Sequence, residues 1–295
     1  MQSRSDRTID QKILSCLPVR KSRSNKGTYG KVLCAAGSLN MAGAAYLCAW
    51  AAYRSGAGLV RVLTPKENRV ILQTLLPEAL LTTFDAEAPD WDKIREAFDW
   101  ASTAAVGPGL GREPWAGALV RMAMEEFQEP LVLDADGLNH LSGQMELLKD
   151  RKGPLILTPH PGEFGRLTGQ SVPEVTADIP GQAVRFAEKY GCICVLKDAP
   201  TAVGDPSGVC YVNTTGNHGM STGGSGDVLT GIIAGLLAQK TPPLSAALLG
   251  VWLHGRAGDL AAAKEGAYGL MARHLVEYLP GAMENPGTEE GITEL

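Results

Sequence analysis

Asp227 is the one carboxylate in a run of glycines and small hydroxyl residues, Ser221-Thr222-Gly223-Gly224-Ser225-Gly226-Asp227, that continues as Val228-Leu229-Thr230-Gly231-Ile232-Ile233. That order reads as a loop feeding the N-terminus of a buried helix. The first backbone N–H groups of a helix lack internal partners and carry partial positive charge, so such an end attracts anions. Gly223, Gly224 and Gly226 have no Cβ to hold a phosphate away from the backbone, and with Ser225 they make a candidate anion hole. Taken alone, Asp227 would merely complement the helix dipole. A phosphate cradle nevertheless has little reason to hold a carboxylate beside an anion, and a general base explains it better. Such a base takes a proton from a hydroxyl while the N–H groups stabilise charge on a transferring phosphoryl group. No Gly-Lys-Ser/Thr follows the glycines, and the spacing is not that of a dinucleotide fingerprint.

Other residues have types suited to the same chemistry. His160 stands between Pro159 and Pro161 ahead of Gly162-Glu163, where a stiff turn could aim the imidazole at a ligand. Glu163 is either a helix N-terminal acid or a magnesium-side carboxylate. Lys197-Asp198-Ala199-Pro200-Thr201 offers a lysine and a hydroxyl around a turn, fit for a nucleotide phosphate or ribose. Gly107-Pro108-Gly109-Leu110-Gly111 offers bare backbone, and Asp134 and Asp136 either cap the next turn or support the site from behind. His140, His218, His254 and His274 are read as ordinary surface or core histidines.

These groups need elements to bring them together, and the apolar pattern supplies them. Strands are expected over 31–36, 59–63, 104–106, 131–133, 155–157 and 193–196, with helices over 42–54, 67–76, 115–127, 181–190 and 244–263. A late hairpin is expected from 201–203 and 209–212, and a short helix around 9–14. Alternating apolar strands and helices make an α/β fold, a largely parallel sheet covered by helices on both faces. Ligands collect at the carboxyl ends of strands in such sheets, and Gly37, Gly107, Asp134, Thr158 and Lys197 each close or follow an apolar run.

Composition narrows the function class. The chain has 295 residues, 44% hydrophobic, which suits one large domain over 25–280 with a lead-in over 1–24 and a disordered tail over 281–295. A net charge of -5 without a basic cluster argues against nucleic acid as a partner. No run of about eighteen apolar residues suggests a membrane span, and the start has no secretory pattern, so a cytoplasmic location is expected. Six cysteines lack metal-type spacing, so neither zinc nor disulfides are expected, and Cys192 and Cys194 should share one strand face.

Taken together the motifs resemble the ribokinase-like superfamily, and within it the ADP-dependent NAD(P)H-hydrate dehydratases. Besides Gly-Ser-Gly-Asp the likeness rests on Lys26-Gly27-Thr28-Tyr29-Gly30, Met41-Ala42-Gly43-Ala44-Ala45, the 107–111 loop, Asp134-Ala135-Asp136, Thr158-Pro159-His160-Pro161-Gly162-Glu163 and 197–201. The resemblance implies that Asp227 is the catalytic base and that His160, Gly43, Ala44 and Gly109 meet the hydrated nicotinamide nucleotide. It assigns Lys197, Asp198, Ala199, Pro200, Thr201 and Gly226 to the adenine nucleotide, with ADP as phosphoryl donor and magnesium neutralising its phosphates. Ser225 stands where many relatives have Thr. The family often carries a fused epimerase domain; the chain has no room for one, so a separate epimerase partner is implied. The Ala-rich helix over 42–54 suggests a homo-oligomer, and a small-molecule kinase of the same superfamily is the alternative reading.

Overall fold

The strands alternate their side chains between two cores, which sets the whole architecture. The computed structural model describes residues 6–284. Its strands are Arg7–Ile9 (β1), Lys31–Ala35 (β2), Leu59–Pro65 (β3), Leu80–Phe84 (β4), Thr103–Val106 (β5), Leu131–Leu133 (β6), Leu155–Leu157 (β7), Ile193–Leu196 (β8), Ala202–Gly204 (β9) and Cys210–Asn213 (β10). The helices are Ala42–Arg54 (α1), Arg69–Leu75 (α2), Trp91–Asp99 (α3), Pro114–Glu125 (α4), Asp136–Leu141 (α5), Glu146–Asp150 (α6), Pro161–Thr168 (α7), Val172–Thr176 (α8), Ile179–Tyr190 (α9), Ser225–Ala238 (α10), Pro243–Glu265 (α11) and Ala272–Met283 (α12).

One sheet runs β1-β10-β9-β8-β7-β6-β5-β2-β3-β4 across the described residues. Pairing is parallel except where β9 meets β8 and β10. Val32, Cys34, Val132 and Ile156 point to the face covered by α1, α10, α11 and α12. Their neighbours Leu33, Ala35, Leu131, Leu133, Leu155 and Leu157 point to the face covered by α3 to α9. Cys192 and Cys194 do share that second face. Strands buried on both sides explain the unbroken apolar runs in the sequence. Because β2 lies between β3 and β5, the strand order reverses there, which is where open α/β sheets tend to bind ligands.

The helix that carries Asp227 is placed by backbone contact. A Cβ on Gly231 would stand 2.1 Å from Cys48 O and one on Gly235 2.6 Å from Ala52 O, so α10 can lie this close to α1 only with glycine there. The apolar side of α1, which prompted the expectation of an oligomer, is covered within the chain: Ala42, Ala45, Cys48, Ala49, Ala51 and Ala52 are all buried. That ground for the expectation therefore falls away.

Several elements differ from expectation. The lead-in contributes β1, paired in parallel with β10, and a 3-10 turn over Gln11–Cys16, so it extends the sheet rather than trailing from it. β4, α3 and α5 to α8 were not expected; most are short. The tail does not begin at 281, because α12 runs through Pro280 to Met283. A proline inside a helix orphans the carbonyl four residues earlier, and here Arg54 Nε donates to Val276 O (3.5 Å). The rest of the expected tail lies outside the described residues.

Candidate functional site

At the start of α10 the chain turns through Gly224, which has φ 92° and serves as the helix N-cap without any side-chain cap. A Cβ there would stand 2.4 Å from Leu47 Cδ1 and 3.0 Å from Ala272 Cβ, so glycine is required twice over. Ser225 N–H donates back to Thr222 O (3.3 Å), and Val228 N–H is the first to close on Gly224 O (3.1 Å). Between them lie the N–H groups of Gly226 and Asp227, the open donors of a 14-residue helix.

Beneath this helix end lies a buried charge network. Lys197, at the end of β8, donates from Nζ to Asp134 Oδ1 (2.8 Å), and Thr230 Oγ1 donates to Asp134 Oδ2 (2.7 Å). Asp134 is 1% exposed, so a carboxylate there needs both partners. Glu163 Oε2 is 3.9 Å from the same ammonium. Burial pulls the Lys197 pKa down, but the Asp134 and Glu163 carboxylates outweigh it and hold the lysine above its ordinary value. Asp227 is pushed up to about 7, first by burial and then by the Asp134 carboxylate, while Lys197 pulls it down. A carboxyl that titrates near neutrality beside unpaired N–H donors is suited to proton transfer at an anion site.

Next to this network opens a cavity of about 890 Å³, walled by β-strand ends, by α10 and α11, and by the 213–221 loop. α11 holds that loop in place: Asp259 accepts from Gly216 N–H and Asn217 Nδ2 (both 2.9 Å), and Thr215 Oγ1 donates to Trp252 O (3.0 Å). From the same helix His254 Nε2 lies 2.9 Å from Ser225 O and 3.3 Å from Ser225 Oγ, tying α11 to the first residue of α10. Burial pushes the His254 pKa down to about 4, so the ring is neutral and its Nε2–H is the donor to the carbonyl.

Most residues singled out in the sequence meet here. Lys197, Asp198, Ala199, Pro200, Thr201, Ser225, Gly226, Asp227 and His160 all border the cavity. Gly226 is close enough that a Cβ would stand 3.2 Å from Lys197 Nζ. Thr201 Oγ1 donates to Asp198 O (3.0 Å), which rigidifies the turn. His160 caps α7, its Nδ1 accepting from Gly162 N–H (3.0 Å), while Glu163 Oε2 accepts from His160 N–H (2.9 Å). Glu163 therefore occupies the helix N-terminal position of its first reading. Asp134 supports the site from behind, and Asp136 accepts from Gly111 N–H (2.8 Å), pinning the 107–111 loop.

A second group lies on the α1 side, outside that cavity. Gly43 is exposed, and nothing stands within 4 Å of where its Cβ would be; the same holds for Gly223. Gly109 is instead buried, with φ 61° and a would-be Cβ 2.7 Å from Ala44 Cβ, so its own packing already requires glycine. Gly224 links the two groups, because Asp227 Oδ2 lies 3.9 Å from its Cβ position. Sequence reasoning missed His254, His218 and the 213–217 loop as cavity residues. The loop carried a signal, since Asn213-Thr214-Thr215-Gly216-Asn217 follows a strand with polar groups and glycine; His254, in mid-helix, carried none.

The chain is 42% identical over 278 residues to the bifunctional NAD(P)H-hydrate repair enzyme Nnr of Moorella thermoacetica, covering 92% of this chain and 52% of that protein. It thus spans about half the length of the first curated relatives it matches. It is 36% identical to the ADP-dependent (S)-NAD(P)H-hydrate dehydratase of Bacillus subtilis, covering 92% of this chain and 95% of that one. A crystal structure of the ADP/ATP-dependent NAD(P)H-hydrate dehydratase from Bacillus subtilis, co-crystallised with ATP/Mg2+, superposes with a TM-score of 0.83 at 34% identity, covering 94% and 97% of the two chains. The fold is ribokinase-like, as expected. Residues 32–281 match the profile of the NAD(P)H-hydrate dehydratases, and the chain belongs to that family.

Proposed function

We propose that this chain removes water from hydrated NADH and NADPH at the expense of ADP, regenerating the reduced cofactors and releasing AMP and phosphate. The observation that carries the reading is Asp227, a carboxyl pushed up to about 7 at the open N-terminus of α10. Asp227 takes the proton of the ring hydroxyl, and the oxygen attacks the terminal phosphoryl group of ADP, breaking its bond to the bridging oxygen so that AMP leaves. Gly226 and Asp227 N–H groups stabilise the charge that develops on that group. The carbon–oxygen bond then breaks, phosphate departs, and loss of a proton from the neighbouring ring carbon restores the reduced nicotinamide.

The cavity beside Lys197 and Thr201 is the proposed ADP site, and the open space over Gly43 and Gly223 the proposed hydrate side, with His160 at the rim. Magnesium fits only as a passenger on the nucleotide. Among the described residues no three His, Cys, Asp or Glu side chains are grouped to hold a metal, and Asp134 and Glu163 already accept from Lys197, Thr230 and His160. A magnesium held mainly by phosphates and water needs no protein cage; it would neutralise the phosphoryl charge. An epimerase that converts the other hydrate epimer into the one used here is the proposed pathway partner.

The test is an assay with purified protein, hydrated NADH, ADP and magnesium. Absorbance of reduced nicotinamide returns, with one AMP and one phosphate per turnover. A stable phosphorylated product with no reduced cofactor would instead favour a small-molecule kinase.

A further inference from the structure

Three of the large apolar side chains that stand exposed, Met41 (42%), Tyr268 (107%) and Met271 (48%), are carried by the segments that flank Gly224 ahead of Asp227. Their chain neighbours locate the segments that carry them. Gly43 and Leu47 share a face of α1, one turn apart, and Leu47 Cδ1 lies against Gly224. Ala272, directly after Met271, lies against Gly224 from the other side, and Ala267, directly before Tyr268, lies against Gly219 in the cavity loop. Met41 packs beside Gly109 at the foot of α1. The floor between these walls is bare. Gly43 and Gly223 both have space where a side chain would stand, and neither has the positive φ that would make glycine a backbone necessity.

We infer that Met271 and Tyr268, across the Gly43 and Gly223 floor from Met41, form an apolar clamp for the hydrated nicotinamide ring of the dinucleotide. The inference rests on the proposed function and adds the residues that grip the substrate. A clustered apolar patch beside a reactive carboxyl signals a ligand surface rather than scattered exposure. The chemistry suits a partly saturated ring, since Met adapts to an irregular face through its flexible, polarisable side chain and Tyr offers a large apolar face at little entropic cost. The floor must be glycine if a ring is to lie within reach of Asp227. Tyr268 sits between Gly266, which has φ 80°, and Gly269, on the connection between α11 and α12. Phosphoryl donor and acceptor thus enter from opposite sides of Asp227, the nucleotide from the β8 side and the hydrate from the α1 and α12 side.

The test uses the full chain with Tyr268→Ala and Met271→Ser, singly and together, and Tyr268→Phe as the conservative control. Binding of NADPH, the product, is read by its own fluorescence, and KM for the hydrate and ADP by steady-state assay. The clamp predicts about three- to tenfold weaker NADPH binding for each single variant, a larger loss for the pair, recovery in Tyr268→Phe, and ADP KM within twofold of the parent. Unchanged NADPH affinity in the double variant overturns it. So does an equal loss for ADP and NADPH, or a change in self-association by light scattering without a change in affinity. A parent protein that binds NADPH tightly but does not turn over the hydrate would count against the proposed function and leave the clamp testable by binding.

Discussion

Lys197 Nζ lies 2.8 Å from Asp134 Oδ1, and this bond spends the half-buried ammonium on a buried structural carboxylate rather than on Asp227. Asp227 feels the lysine only through space, weakly enough that burial and the Asp134 charge leave it near neutrality. Lys197→Gln should therefore act twice. Stability falls by about 1–3 kcal/mol, the scale for weakening the hydrogen bonding of a buried polar group. The acid limb of kcat/KM moves to higher pH, since the charge that lowers Asp227 is gone. Denaturant melts and a pH profile check both, and an unmoved limb contradicts the electrostatic account.

Asp227 itself makes stability depend on pH in the reverse of the usual carboxylate sense. Its folded pKa, about 7, lies above its unfolded value near 4. The folded state holds the proton more tightly, so the stabilising contribution is complete below pH ~4 and is lost as pH rises through ~7. Asp227→Asn removes that loss. The variant should match the parent at pH 4 and exceed it at pH 8 by on the order of 1–3 kcal/mol, allowing for solvent screening. Melting curves at the two pH values read the difference; a variant less stable at pH 8 sinks the assignment.

Two glycines separate packing from binding. At Gly231 a Cβ would meet Cys48 O at 2.1 Å, so Gly231→Ala forces α10 from α1 at about 1–3 kcal/mol and disturbs the anion hole. At Gly43 a Cβ meets nothing within 4 Å, so Gly43→Ala should leave the free protein as stable or gain up to about 1 kcal/mol from helix propensity. Its KM for the hydrate should nevertheless rise while its KM for ADP holds. A Gly43→Ala variant with unaltered hydrate KM would remove the glycine floor from the substrate side.

His254 ties α11 to Ser225, and the bond needs a neutral ring. With a folded pKa near 4 against about 6.5 unfolded, the ring contributes stability that is present above pH ~6.5 and lost as pH falls toward ~4. His254→Leu removes the donor to Ser225 O and should lower kcat by about tenfold, the worth of one buried hydrogen bond. His254→Gln, which can still donate, should recover part of it and also blunt the acid loss of stability. Equal kcat in both variants would show that the hydrogen bond does not position the anion hole.

The legible part of this protein is the part where one local rule decides. Gly-rich backbone before a buried helix, and apolar runs closed by Gly37, Gly107, Asp134, Thr158 and Lys197, placed both the sheet and the site. What stayed hidden depends on long-range contacts. Nothing around His254 announces that Ser225 lies 2.9 Å away, and nothing near Pro280 announces the Arg54 guanidinium that lets α12 continue. The bond of Lys197 to Asp134 joins residues 63 positions apart. The ground given for an oligomer was misread for the same reason, since the apolar side of α1 found its cover in a glycine stripe of α10 distant in sequence.

The most direct test of the account is the turnover number of Asp227→Asn, measured as return of reduced-nicotinamide absorbance from the hydrate with ADP and magnesium. The substitution keeps the shape of the side chain and removes the base. The account predicts a kcat lower by about two to four orders of magnitude, with ADP affinity retained or improved because a negative charge beside the phosphates is gone. A kcat within a few-fold of the parent, with ADP bound normally, would contradict it.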